Sequence, residues 1–73
     1  MAAETDTLTA EQLNLWGEAG MDDIQATAGQ TREQAVNFAI HSYRYICNLF
    51  DGEPIPSEAA VRNELDRRDR AAA

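Results

Sequence analysis

Apolar residues recur at helical spacing through the middle of the chain. Over residues 32–50 most positions are apolar, and the polar ones fall within one narrow arc of a helix: Asn37, His41, Arg44 and Asn48, followed by Asp51. Thr31 precedes this stretch and Gln34 stands three residues later, which is the spacing of a capping box at a helix start. The pattern therefore predicts a helix over residues 32–50 with a single polar face.

The apolar part of this predicted helix has two sides. The main buried side consists of Val36, Ala39, Ile40, Tyr43, Ile46, Cys47 and Phe50. A second apolar strip on a different side consists of Phe38, Tyr45 and Leu49. One short neighbouring helix does not cover both sides, so we expect the helix to be held between its own chain and a second copy in a homodimer. The open alternative is a central helix in a small monomeric all-α bundle.

A shorter helix is predicted before this one. Thr9 and Gln12 form another capping box, so the first helix should begin at Ala10. Glycine costs ~1 kcal/mol relative to alanine inside a helix, so the glycines at 17 and 20 predict a break near Gly20. After the break, a second short helical segment is expected over residues 22–28, capped by Asp22 and ended by a glycine.

The two ends of the chain read differently. Residues 1–8 are interpreted as a flexible arm or a short strand, and residues 9–50 as the helical core. Residues 51–57 contain two prolines and are predicted to be a rigid linker. Ser57 is placed to cap a last helix over about residues 58–70, within the C-terminal segment 58–73. Its apolar stripe is short, namely Ala60, Val61 and Leu65, so we expect loose packing or a protruding helix.

Charge narrows the classes of partner. Thirteen acidic residues face six basic residues, all arginine, and the net charge is −7. Residues 1–31 carry six acids and no base, whereas the rest of the chain is almost neutral. Such a balance disfavours nonspecific binding to polyanions and favours a basic partner.

Membrane and secretory classes are not supported by the sequence. No apolar run approaches the ~18 residues that a membrane span needs, and the first residues carry acids where a signal peptide carries positive charge. We therefore expect a cytoplasmic protein without a membrane partner. The lone Cys47 permits neither an internal disulfide nor a multi-thiolate metal site.

Catalytic chemistry has little support. His41 lies on the polar face without a carboxylate and a nucleophile at helical spacing, so a solvated histidine is expected. Cys47 lies on the buried side and is expected to be a small core residue. The glycines match no phosphate-binding loop. We expect no enzyme activity, no cofactor and no metal site.

One segment resembles a known family. Residues 29–43 read G-Q-T-R-E-Q-A-V-N-F-A-I-H-S-Y, which resembles the second helix of ribbon-helix-helix (CopG/Arc-type) proteins, with Gln34 in place of the usual Glu. Met21 and Ile24 fall where the first helix of that family has buried residues, and the match covers about 23 of the 73 residues. The resemblance implies an intertwined homodimer with a long central helix, here extended by a C-terminal helix.

The resemblance also implies a function. Family members are small DNA-binding transcriptional regulators or antitoxin-type repressors. Carried over, Thr31 and Arg32 at the start of the second helix would hold a DNA phosphate, and Thr5 and Thr7 on an N-terminal strand would read bases. The family's dimer contacts would fall on the two apolar sides described above, from Val36 to Phe50.

Two alternatives stay open. The N-terminal segment departs from the family pattern because Glu4 and Asp6 flank the threonines and no base offsets them. The chain can instead be an acidic protein-binding module or inhibitor, such as a nucleic-acid mimic of phage or plasmid type, that binds a basic protein surface. A third interpretation places residues 31–40 in a ubiquitin-associated-like three-helix module, and the short span from 21 to 31 disfavours it.

Overall fold

The protein is mainly helical, with three helices and one pair of very short strands. The computed structural model describes residues 4–52 and 54–72. In chain order the elements are β1 (Glu4–Thr5), α1 (Ala10–Glu18), α2 (Arg32–Phe50), β2 (Ile55–Pro56) and α3 (Glu58–Ala72).

Helix α2 has the bounds that its sequence pattern predicts. The side chain of Thr31 accepts a hydrogen bond from the amide of Gln34, and the Gln34 side chain accepts one from the amide of Thr31. The predicted core positions Ile40, Tyr43 and Cys47 are buried. Other predicted core positions of α2 are half-buried, namely Val36, Ala39 and Ile46.

Phe50 differs from its predicted place in the core. Its side chain is 76% exposed. Phe50 is the last residue of α2, and the buried positions of the helix end one turn earlier, at Cys47. Helical spacing assigned it to the core side, but spacing does not show where the neighbouring elements stop.

Helix α1 begins and breaks as predicted, but the segment after the break is not helical. The capping box of Thr9 and Gln12 is formed, and Gly20 adopts a φ of +78°, which an L side chain rarely adopts. Residues 22–28 contain no helix, so the predicted short helix there is wrong. Asp22 does not cap such a helix, and its carboxylate instead lies 3.7 Å from the guanidinium of Arg68.

The predicted linker contains a strand. β2 pairs in parallel with β1, with Glu4 opposite Ile55 and Thr5 opposite Pro56. The amide of Ser57 also donates a hydrogen bond to the carbonyl of Thr5 at 2.9 Å. The N-terminal segment is therefore tied to the connection between α2 and α3.

Helix α3 packs against the core, contrary to the expectation that it is loose or protruding. Its short apolar stripe is fully used, because Ala60, Val61 and Leu65 are all buried. The guanidinium of Arg68 adds a further contact, lying 4.7 Å from the centre of the Trp16 ring. The stripe looked too short because the sequence did not show this cation–π contact.

The core lies between the three helices. Trp16 from α1 and Tyr43 from α2 meet edge to face, with ring centres 5.1 Å apart and planes inclined by 70°. The remaining buried members of this cluster are Met21, Ile40, Cys47, Val61 and Leu65.

Candidate interaction surfaces

The outer side of α2 carries an exposed apolar strip. Phe38, Tyr45 and Leu49 are 70%, 64% and 58% exposed, and we call them the outer strip. At 100° per residue they lie within about 40° of one another and roughly opposite the buried Ile40 and Cys47. Helices α1 and α3 therefore pack on the first predicted apolar side of α2 and leave the second side exposed.

A groove runs beside the outer strip. It has a volume of about 410 Å³ and lies between α2 and the segment that follows α1. Phe38 and Ser42 line its α2 side together with two small residues, Ala35 and Ala39. The remaining lining residues are Ala19, Gly20, Ile24, Gln25, Thr27 and Gln30, so none of the described residues that line the groove is charged.

The arginines are largely engaged within the chain. Arg44 is the most enclosed of them: it donates through Nε to the carbonyl of Pro56 at 2.9 Å and forms ion pairs with Glu4 and Glu58. Arg62 pairs with Glu33. Two further arginines, Arg67 and Arg68, both pair with Glu64.

These ion pairs shift the proton affinity of Glu64. Hydrogen bonds from Arg67 lower the pKa of the Glu64 carboxyl, and a hydrogen bond from Arg68 acts in the same direction, while burial opposes both. Glu64 therefore stays ionised, and the charges of α3 neutralise one another locally.

Many carboxylates have no such partner. Within residues 4–52 and 54–72, exposed acidic side chains that form no ion pair are Asp6, Glu11, Glu18, Asp23, Asp51, Asp66 and Asp69. Within the same ranges, the arginines without an ion pair are Arg32 and Arg70. The unpaired charge of these residues is consequently negative on balance.

The residues assigned to DNA by the family resemblance lie in two separate places. Thr5 is half-buried in β1, and its hydroxyl donates to the carbonyl of Thr7 at 2.7 Å. Thr31 caps α2, and the guanidinium of Arg32 donates to the carbonyl of Ile24 at 2.7 Å. In the described part of the chain, no hydrogen bond or ion pair joins the two places.

The two residues considered for catalysis have ordinary surroundings. His41 is exposed, and its Nδ1 lies 3.7 Å from a carboxylate oxygen of Glu58. Cys47 is buried, and burial raises the pKa of its thiol, which disfavours the reactive thiolate. Neither arrangement provides an activated nucleophile.

Two residues have larger structural roles than the sequence indicated. Gln12 is fully buried and donates from its side chain to the carbonyl of Pro54 at 3.1 Å, in addition to its capping role. Arg44 connects α2 to both strands, through Glu4 of β1 and the carbonyl of Pro56 in β2. The sequence reveals a capping role because the two residues of a capping box lie three positions apart. It does not reveal hydrogen-bond partners more than ten residues away, because the tertiary fold brings these together.

Residues 4–52 and 54–72 contain neither a cluster of metal ligands nor a helix suited to a membrane. No group of three metal-ligating side chains comes together in this part of the chain. No helix there has the length and apolar character needed to cross a bilayer.

The fold and surfaces thus define a small three-helix protein with an exposed apolar helix face and an acidic exterior. Comparison with protein-family models, curated proteins and solved structures gives no significant match. The functional assignment therefore rests on the geometry of these surfaces.

Proposed function

We propose that this chain is a non-enzymatic protein-binding module that recognises a basic surface on another protein. The observation that carries the proposal is the unequal use of charge: arginines are engaged in ion pairs within the fold, whereas a larger set of carboxylates faces solvent. Carboxylates without intramolecular partners retain their full field, which steers and orients a cationic partner.

The acidic side chains are also placed so that they contribute little to the fold. Glu18 is the last residue of α1, where a negative charge opposes the helix dipole, and Asp66 and Asp69 are exposed on α3. Their cost to folding is therefore not offset by a described ion pair. A partner that supplies the missing positive charges accounts for such an arrangement.

A charge-neutralised variant tests this function. Glu18→Gln, Asp66→Asn and Asp69→Asn together change the net charge from −7 to −4 without removing a described ion pair. Wild type and variant are immobilised, exposed to lysate of the native host, and eluted with rising salt. We expect the wild type to retain basic proteins that the variant releases at lower salt.

Two outcomes of that experiment contradict the proposal. One is equal retention of the same proteins by wild type and variant, which shows that the carboxylates do not contribute. The other is retention of acidic proteins or nucleic acid in place of basic proteins. Circular dichroism of both proteins provides the control for folding.

The second candidate is a ribbon-helix-helix-like DNA-binding regulator or antitoxin-type repressor. The start of α2 favours it: the capping box occupies the amides of Thr31 and Gln34, so those of Arg32 and Glu33 are left for an anion such as a DNA phosphate. The strand arrangement ranks it second. In the family the N-terminal strands pair across the dimer, whereas β1 here pairs with β2 of its own chain.

Binding to labelled duplex DNA distinguishes this candidate from the first. If DNA is bound, Arg32→Ala should weaken binding to all sequences and lower the salt dependence by about one phosphate contact. Arg70→Ala is the matched control, since Arg70 is also exposed and forms no ion pair in the described ranges. Absence of binding at low salt rules out the DNA-binding function.

A further inference from the structure

We infer that the outer strip of α2 and the groove beside it form a homodimer interface, in which the α2 helices of two copies pair antiparallel. This inference does not rest on the proposed function, because it concerns a different face of the molecule. Three observations support it: the absence of charge on the face, its self-complementary shape, and its area.

Charge separates this face from the rest of the surface. Within residues 4–52 and 54–72, no charged side chain belongs to the outer strip or the groove lining, in a protein with a net charge of −7 and 26% charged residues. The polar neighbours on the other flank of the strip, His41 and Asn48, carry no carboxylate themselves, and the Glu58 carboxylate beside His41 is paired with Arg44. Two copies repel each other wherever their acidic surfaces approach, so an uncharged face is where self-association meets least repulsion. A basic partner, in contrast, gains nothing from an uncharged face.

The shape of the face is complementary to itself. Two of its large side chains, Tyr45 and Leu49, stand in the second half of α2, while the groove beside Phe38 has small residues on its α2 side, including Ala39 and Ser42. A twofold axis between Ser42 and Tyr45 places Leu49 of a second copy against Phe38, and Tyr45 of that copy against Ser42. Each copy then fills the groove of the other, which is the reciprocal contact that a twofold interface requires.

The exposed side chains of the outer strip supply a large part of the area that a stable dimer needs. An aromatic side chain buries ~150–250 Å² when it is fully covered, and Phe38 and Tyr45 are 70% and 64% exposed. With Leu49, these side chains supply roughly half of the ~800 Å² that each partner buries in a standard interface. The groove walls and the neighbouring segment after α1 add further area to this contact.

Analytical ultracentrifugation of the full chain with substitutions on this face tests the inference. We expect the wild type to be dimeric at micromolar concentration, and Tyr45→Ser or Leu49→Ser to raise the dissociation constant roughly tenfold or more. Phe50→Ser is the matched control, because Phe50 is even more exposed, at 76%, but points about 100° away from the strip. All these side chains are exposed in the single chain, so the variants should keep the wild-type circular dichroism.

A charge exchange tests the antiparallel orientation. Phe38→Glu alone and Leu49→Lys alone should each abolish the dimer. An equimolar mixture should restore a heterodimer, because the antiparallel pairing sets residue 38 of one copy against residue 49 of the other. No restoration contradicts the antiparallel geometry.

The inference is overturned by a monomeric wild type at concentrations up to roughly 100 µM, which corresponds to a dimer too weak to matter in a cell. A dimer that Phe50→Ser disrupts and Tyr45→Ser does not is equally contradictory. A monomer that captures a different protein through the strip assigns the face to that partner and also overturns the homodimer.

Discussion

The hydroxyl of Tyr43 donates a hydrogen bond to the main-chain carbonyl of Gln12, with 2.6 Å between the oxygen atoms. This bond joins α2 to α1 inside the core, where both residues are fully buried. The acceptor matters because the hydroxyl is buried away from water. A buried hydroxyl without a hydrogen-bond partner lowers the stability of the fold.

Removing this hydroxyl should destabilise the protein measurably. Tyr43→Phe keeps the edge-to-face contact with Trp16 and deletes the hydrogen bond, so we expect the free energy of unfolding to fall by about 1 kcal/mol. Urea unfolding followed by Trp16 fluorescence measures it. Tyr45→Phe is the control, because Tyr45 is 64% exposed and should show no change in the monomer. Equal effects at both positions contradict the role assigned to Tyr43.

The two capping glutamines provide a matched comparison. Gln12 and Gln34 occupy the same position in their capping boxes, but Gln12 is buried and also donates to Pro54, whereas Gln34 is exposed. We expect Gln34→Ala to cost ~0.5–1 kcal/mol and Gln12→Ala to cost at least ~1 kcal/mol more, since it also leaves a cavity and an unpaired carbonyl. Chemical unfolding of both variants measures the difference. Equal costs would show that the contact with Pro54 adds nothing.

Alkaline pH should destabilise the fold through two neighbouring buried groups that can lose a proton, the phenol of Tyr43 and the thiol of Cys47. Burial raises the pKa of the Tyr43 phenol above its ordinary value, and burial also raises the pKa of the Cys47 thiol. In the unfolded chain these groups lose their protons at about pH 10 and pH 8.5 respectively. Below those values both states bind the proton and stability is unaffected. Above them the unfolded chain releases protons that the folded chain retains, so stability falls as pH rises.

Unfolding curves from pH 7 to about pH 10.5 should therefore show stability declining from about pH 8.5 upwards, by up to ~1.4 kcal/mol per pH unit for each group. Cys47→Ala should remove the part of the decline that begins near pH 8.5, even though its stability at pH 7 is lower. A profile that is flat to pH 10.5, or unchanged in slope by Cys47→Ala, contradicts this mechanism.

Arg44 should control the attachment of the N-terminal strand. It holds β1 through Glu4 and β2 through the carbonyl of Pro56, and its side chain is 17% exposed. We expect Arg44→Met to increase hydrogen exchange at the amide of Ser57, which donates to the carbonyl of Thr5, while leaving exchange in the middle of α2 near its wild-type value. Arg70→Met is the control for loss of an exposed arginine. Unchanged exchange at Ser57 in Arg44→Met would show that the strand pair holds without Arg44.

The parts of the fold that depend on short-range spacing were predictable. Thr9 and Thr31 each reveal a helix start because both members of a capping box lie within three residues. The break at Gly20 follows from the same local reasoning, as does the end of α2 at Phe50. These features depend on residues that lie close together in the sequence.

Features that depend on distant partners were not predictable. The short helix predicted over residues 22–28 rested on a cap at Asp22 and a terminating glycine, but Asp22 and Ile24 are held by contacts with Arg68 and Arg32 that lie outside any local pattern. The strand β2 has two residues, one of them proline, and acquires its identity by pairing with β1. Spacing identified the main buried side of α2 and the outer strip as a second apolar side, yet it did not show that Phe50, on the main side, lies beyond the residues that the rest of the chain covers.

The pairing of β1 with β2 joins residues that are about fifty positions apart, whereas the caps of α1 and α2 close within three. During synthesis, the first strand leaves the ribosome long before its partner exists. Residues 4–5, which include Glu4 and precede Asp6, therefore remain unpaired until residues 55–56 have emerged. The order of translation therefore makes the closing of this small sheet a late step of folding, together with the packing of α3, whose residues follow β2 in the chain.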